Sequence, residues 1–276
     1  MDRKNKTGGI GMKAFFLSAG LGARLRPLTD DLPKPMIMFN KAPLLYHAFD
    51  FINSQTPLSH IVVNAHWKSD KMISFLNEQF KPVIKIPVTI SDETTELLDS
   101  GGGLCKLAPL LSQEKNFWVI NGDEFLLPLD QTPFLPELIN EHNKSGSWAT
   151  LLVTENKRVG VDLGGAWADQ NNKIQAFSKR PIPDLKGWHY TGVMLCSNEI
   201  FKYCQPVLAA ENILYDLLTR VILAGHKVSV FSHPVYWVET GHYEHFYLVQ
   251  EQVEELKNTS PQMYQFLKNR QKSWGA

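Results

Sequence analysis

The chain has 276 residues, 43% hydrophobic and 20% charged, with 28 Lys+Arg balancing 28 Asp+Glu. That length can bury a large core, and the even charge excludes the basic excess of a nucleic-acid-binding surface. No apolar run reaches the roughly 18 residues of a membrane span, and the opening M-D-R-K-N-K-T-G-G-I-G lacks the apolar stretch of a signal peptide.

Residues 1–12 read as a flexible leader and residues 13–276 as a single domain. The first strand is predicted over 14–17 (A-F-F-L), apolar enough to be buried on both faces. It breaks at Gly20, and Gly22 follows; paired glycines let the backbone turn sharply and leave N–H groups bare for an anion. Arg24 and Arg26 add positive charge, and Lys34 stands on a stiff base between Pro33 and Pro35. The blander reading is a strand-to-helix turn with solvated cations. Leu25 stands where a dinucleotide fingerprint needs its third glycine, and the Gly-Lys-Ser/Thr of a Walker loop is missing.

Onward, a helix is expected over 43–54, a buried strand over 60–65, and a helix over 69–80 capped by Ser69. A short strand over 88–91, a helix over 103–111 and a buried strand over 117–120 follow, the last ending in Asn121-Gly122-Asp123. Strands alternating with helices for about 125 residues predict βαβ units and a mostly parallel sheet. Asp123, just past a strand's carboxyl end, suits a Mg²⁺ ligand or an N-cap. Beyond it come a strand over 148–154, a hairpin over 164–177, and strands over 190–196 and 227–231. A helix over 213–224 stops at Gly225, and helices over 242–257 and 261–272 close the chain. Cys105, Cys196 and Cys204 are odd in number and lack metal-ligand spacing, which predicts reduced thiols in a cytoplasmic protein. Cys105, at a helix start, reads as an acidic thiol or, more commonly, a buried inert one.

Residues 20–35, G-L-G-A-R-L-R-P-L-T-D-D-L-P-K-P, closely resemble the signature of the sugar-1-phosphate nucleotidyltransferases. The resemblance implies a Mg²⁺-dependent enzyme that joins a nucleoside triphosphate to a sugar 1-phosphate and releases pyrophosphate. It implies a Rossmann-like, glycosyltransferase-A-type α/β fold, a mixed, mostly parallel sheet flanked by helices. The nucleotide half would cover about 13–125 and the sugar-phosphate half about 126–276, in a monomer or homodimer. Carried over residue by residue, Leu17, Ala19, Gly20, Gly22 and Ala23 border the nucleotide, and Arg24 holds the β- and γ-phosphates. Lys34 sits between the α-phosphate and the incoming phosphate, and Asp123 holds Mg²⁺. The second metal ligand falls in V-Y-W-V-E-T-G-H, where Glu239 replaces the family's Asp and adds a methylene, which puts direct ligation in question.

The string E-L-L-D-S-G-G-G resembles the base-binding loop E-x-L-E-T-G-G-G, giving Asp99, Gly101 and Gly102 as nucleotide contacts; the glycines alone equally suit tight helix packing. In F-S-K-R-P, Lys179 is the chosen sugar-phosphate cation, with Arg180 its rival, and Ser178 replaces the customary Glu. Tyr190-Thr191-Gly192 matches a segment bordering the sugar, or is a plain strand. The overall form points first to UTP with N-acetylmuramate 1-phosphate, and next to GTP with mannose or heptose 1-phosphate. A catalytically inactive nucleotide-sugar-binding subunit is the alternative of another class. A phosphocholine cytidylyltransferase would need an aromatic cage, for which Trp167, Trp188 and Tyr190 are available. His242 and His245 read as a solvated helix face, and His66-Trp67 as pocket lining or a packed loop.

Overall fold

The computed structural model describes residues 11–205 and 209–275, so most of the expected leader lies outside the described residues. Met12 does not belong to that leader: it opens β1 (Met12–Leu17), its N–H donating to Pro57 O at 3.3 Å. The glycine loop leads to the short strands β2 (Met38–Phe39) and β3 (Ala42–Pro43), then α1 (Leu44–Asn53) and β4 (Leu58–Ala65). The helix α2 (Ser69–Phe75) runs through a π-helical stretch into α3 (Lys81–Ile84). Ser69 does not cap it: Lys68 takes the N-cap position with φ 48°, and no side chain bonds the free N–H groups.

Next come β5 (Val88–Asp92), α4 (Asp99–Lys106), α5 (Ala108–Leu111), β6 (Asn116–Asn121) and β7 (Phe125–Pro128). The helix expected from residue 103 thus starts at Asp99, with the glycines inside it. An unforeseen helix, α6 (Leu135–Ser145), buries Leu135, Leu138 and His142 from an otherwise polar sequence. Then follow β8 (Ala149–Thr154), the predicted hairpin β9 (Gly165–Ala168) and β10 (Ile174–Ser178), and the long β11 (Lys186–Ser197). A π-helical Ile213–Leu218 continues as α7 (Thr219–Leu223), before β12 (Val228–Ser232) and β13 (Val235–Val238). The chain ends through α8 (Tyr243–Glu254), α9 (Leu256–Thr259) and α10 (Pro261–Trp274).

Among the described residues nine strands share one sheet along the path β10-β9-β11-β6-β1-β4-β5, with β8 branching off β11 and β12 pairing with β8. The β6-β1-β4-β5 block is parallel and β11 runs antiparallel to β6, so the sheet is mixed. The strand period sorts the core: Phe16 points into a cluster with Phe49 and Ile52 of α1, while Phe15 points to the other face, with Leu104 of α4 and Val221 of α7. A third cluster, around Phe125, Phe246 and Leu267, seats the C-terminal helices on the β7-β13 ribbon. No described helix is long and apolar enough to cross a membrane.

The expectation of three reduced thiols is overturned. Cys105 of α4 is disulfide-bonded to Cys204, 99 residues away, with Cα atoms 5.6 Å apart. Packing of α4 against the segment after β11 makes that pairing, and no local spacing announces it. Cys196 is free and buried, and burial pushes its thiol up.

Candidate active site

The site forms where β1 and β6 end side by side. Leu17 and Asn121 are in register across the pair, and Gly122 N–H donates to Leu17 O at 2.8 Å. The glycine loop and the Asn121-Gly122-Asp123 turn therefore emerge together at the carboxyl edge of the sheet, where open α/β sheets hold ligands. Gly22 takes φ +62°, and Thr29 Oγ1 donates to its carbonyl at 2.8 Å. Trp67 Nε1 donates to Thr29 O at 3.0 Å, so the His66-Trp67 step braces the loop from behind. Between the loop and the start of α4 lies a cleft of about 620 Å³. Its walls include Leu17, Ala19, Gly20, Gly22, Ala23, Arg24, Lys34, Asp99 and Asp123, together with Ser18, Asn64 and Gly241.

Charges pair across this cleft. Lys34 Nζ is 2.7 Å from Asp123 Oδ2. Thr240 Oγ1 donates to Asp123 O at 2.9 Å, tying the W-V-E-T-G segment to the same turn. Glu239 Oε1 lies 4.0 Å from Arg24 Nη1 and 3.2 Å from His242 Nε2, while Oε2 accepts from Arg158 Nη1 at 2.7 Å. Burial pushes the Glu239 carboxyl up, but the Arg158 hydrogen bond and charge, with His242 and Arg24 behind them, hold it below the usual range. Next to Asp123, Glu124 is half-buried and accepts from Asn121 Nδ2 at 3.1 Å and Trp237 Nε1 at 2.9 Å. Burial first, then the Asp123 charge, push its carboxyl up to about 7 against the pull of Lys34.

The carboxylates Asp123 and Glu239 are hard oxygen donors on adjoining segments, which suits Mg²⁺: it takes one or two carboxylates and completes its shell with phosphate and water. Among the described residues no group of three or more His, Cys, Asp or Glu side chains gathers into a metal site.

Other expected contacts do not reach the cleft. Gly101 and Gly102 point their N–H groups at Glu211 O, at 2.7 and 3.3 Å, so these donors are already used inside the fold. A Cβ at Gly101 would meet Glu211 O at 2.9 Å, and one at Gly103 would meet Glu93 Oε1 at 2.9 Å. The glycine triplet thus serves close packing, the plainer of its two readings. Asp99 alone of that trio lines the cleft, with φ 54° and its Oδ1 accepting from Ser100 N at 2.5 Å. Lys179 is exposed and outside the cleft lining. Thr191 Oγ1 donates to Leu152 O at 2.9 Å, inside the sheet. Tyr190 has its hydroxyl buried without a partner in the described structure, and Gly192 takes φ +83° with Glu124 against it. No cage forms from the aromatics: Trp167 and Trp188 are buried, and Lys186 Nζ covers the Trp188 ring at 3.9 Å.

Arg158, Glu124 and His242 were not legible as site residues. Arg158 and Glu239 are 81 residues apart, and only the Arg158/Asp162 spacing around Gly160 hinted at an ordered turn. His242, read as a solvated helix face, instead precedes α8 and stands against Arg24 and Glu239.

The family model described as Nucleotidyl transferase matches residues 13–256. The chain belongs to the nucleotidyl transferase family. Among its curated relatives, a probable mannose-1-phosphate guanylyltransferase 1 of Oryza sativa subsp. japonica is 28% identical over 235 residues, covering 83% of this chain and 61% of that protein. A UTP–glucose-1-phosphate uridylyltransferase of Synechocystis is 25% identical over 239 residues, covering 83% of this chain and 60% of that protein. The chain thus spans about three fifths of the length of these relatives. HddC from Yersinia pseudotuberculosis, solved in complex with GMP-PN, superposes with a TM-score of 0.70 at 20% identity, covering 87% of this chain and 99% of that one. An apo UDP-glucose pyrophosphorylase gives a TM-score of 0.72 at 14% identity, covering 89% and 99%. At these identities the superpositions speak for the fold alone.

Proposed function

We propose that this protein is a sugar-1-phosphate nucleotidyltransferase, with GTP and mannose 1-phosphate as its first candidate substrates. The observation that carries the reading is the meeting of Arg24, Lys34 and Asp123 around one glycine-walled cleft. The guanylyltransferase relatives favour GTP and mannose 1-phosphate over UTP and N-acetylmuramate 1-phosphate, the pair favoured by the loop pattern. Asp99 on the cleft wall is a carboxylate able to accept two donors from a guanine edge. The uridylyltransferase relative keeps UTP in the comparison.

In this reading a sugar-phosphate oxygen attacks the α-phosphorus and pyrophosphate leaves in line. Little covalent chemistry is asked of the protein, so positioning and charge stabilisation dominate. The loop N–H groups at Gly20 and Gly22 cradle phosphate oxygens. Arg24 takes the charge that builds on the leaving pyrophosphate, and Lys34 turns from Asp123 toward the α-phosphate and the incoming phosphate. No general base is required, since a phosphate monoester is anionic at neutral pH. Asp123 and Glu239 would hold Mg²⁺, which when bound supplies neutralisation of the triphosphate charge. Residues about 13–125 serve the nucleotide and about 126–276 the sugar phosphate, with Lys179 as a cation available beside the sugar half.

The test is pyrophosphate release with Mg²⁺ for each of the four nucleoside triphosphates against mannose, glucose, heptose and N-acetylmuramate 1-phosphates. Turnover with GTP and mannose 1-phosphate is the expected result. Tight binding of a nucleotide sugar with no turnover for any pairing would instead make the protein a regulatory subunit.

A further inference from the structure

We propose that Arg158 is the positioning residue for Glu239: it fixes one carboxylate oxygen so that the other faces a divalent cation arriving with the triphosphate. The inference rests on the nucleotidyltransferase reading above and adds a residue to it. The guanidinium is itself held in place. Its Nε lies 3.1 and 3.0 Å from the two Asp162 carboxylate oxygens, Nη2 lies 2.7 Å from Oδ2, and the remaining Nη1 donates to Glu239 Oε2 at 2.7 Å. Asp162 neutralises Arg158, so the three groups together keep the net negative charge of one carboxylate. Arg158 therefore orients Glu239 without cancelling the charge that a cation needs.

The turn carrying Arg158 is rigid. Its carbonyl accepts from the N–H groups of Val161, Asp162 and Leu163 at 3.0, 3.1 and 3.1 Å, and Gly160 N–H donates to Leu163 O at 2.9 Å. Val159 fills a notch left by glycines on β9 and β11: its Cγ1 is 2.5 Å from where a Gly165 Cβ would sit and 3.0 Å from that of Gly187. On the other side Thr240 pins the Glu239 segment to the Asp123 carbonyl. Glu239 spans the space between these anchors, and an Asp, one methylene shorter, would fall short of Arg158. Its other oxygen, Oε1, is turned away from Arg158 toward His242 Nε2, at 3.2 Å, and the cleft-lining Arg24, at 4.0 Å, the side from which a cation would arrive. Arg158 is 46% and Glu239 23% exposed, and such pairs add little to fold stability, so the bridge is not explained as a structural staple.

The deciding measurement is Mn²⁺ affinity, read by electron paramagnetic resonance of free Mn²⁺, for protein saturated with a non-transferable GTP analogue and, in parallel, its UTP counterpart. Arg158→Gln is expected to weaken Mn²⁺ binding by roughly 10–100-fold, as loss of the partner holding a ligating carboxylate does. The Mg²⁺ concentration for half-maximal turnover should rise in parallel, with the melting temperature and the nucleotide KM at saturating metal unmoved. Arg158→Lys should recover only part of this, because an ammonium cannot bridge two carboxylates with a planar fork. Glu239→Asp should lose a similar amount, and the double variant no more than either single one. Unchanged Mn²⁺ affinity in Arg158→Gln, or additive losses in the double variant, would overturn the proposal. If Arg158→Gln lowers the melting temperature, Asp162→Asn must reproduce the metal defect, or the proposal fails. Normal Mn²⁺ behaviour with no pyrophosphate released counts against the transferase reading alone, and absence of Mn²⁺ binding to the wild-type complex counts against both.

Discussion

Lys34 Nζ and Asp123 Oδ2 sit 2.7 Å apart at the cleft, joining the segment after the glycine loop to the turn after β6. Each is the other's counter-ion until a ligand arrives carrying both phosphate and cation. Lys34→Ala should then cost turnover on the order of 10²–10³-fold, the usual loss when one charge-stabilising donor is removed. Asp123→Asn should lose turnover as severely, because the remaining amide is a poor cation ligand. Both are read as kcat for pyrophosphate release, and near-normal rates in either variant would exclude its assigned role.

The glycines separate into those packed against neighbouring atoms and those with open space beside them. Gly101→Ala drives a Cβ against Glu211 O at 2.9 Å and should destabilise by about 1–3 kcal/mol, the range for overpacking. Gly20 has nothing within 4 Å of a built Cβ, so Gly20→Ala should leave stability within about 0.5 kcal/mol. It should nevertheless raise the triphosphate KM, because the added methyl stands at the loop proposed to cradle the phosphates. Chemical denaturation and steady-state kinetics on the two variants separate these effects.

His142 is buried in α6 with Nδ1 2.9 Å from Thr150 Oγ1, and burial, aided by the Lys115 charge, pulls its pKa down to about 4. The unfolded chain takes up this proton near pH 6.5, and the folded chain refuses it until about 4. Stability should therefore fall as pH drops through that window, by up to about 3 kcal/mol from this group. Thermal unfolding from pH 7 to 4 tests the sign. His142→Gln should flatten the slope.

Reduction of Cys105–Cys204 should lower stability, since the bond closes a loop of 99 residues. Loop-closure entropy sets an upper figure of about 4–5 kcal/mol, and retained denatured-state structure reduces it. Dithiothreitol should lower the melting temperature of the wild type and leave that of Cys204→Ser unchanged. Equal melting with and without reductant in the wild type would show that the bond does not stabilise the fold.

The glycine loop was legible because its parts are contiguous: an apolar strand, the turn glycines and the cations follow one another within a single run. Asp123 was legible because a strand end is a local signal. The Arg158–Glu239 bridge was not, since it depends on how the β9-β11 surface seats a turn against a segment from the other ribbon. The disulfide was missed for the same reason. In α6, polar residues between Leu135, Leu138 and His142 diluted the apolar stripe. For the glycine triplet, sequence offered ligand approach and close packing together; only the carbonyl of Glu211, lying against Gly101, decides for packing.

One strand, β11, pairs with β9 through Lys186, Gly187 and Trp188, and with β6 through Val193 to Ser197. A continuous ribbon stitched to both regions leaves no swivel between them at that point. Whatever closes over the substrates must then be the loop after β1, folding inward over a stationary floor and against a fixed Arg158 turn.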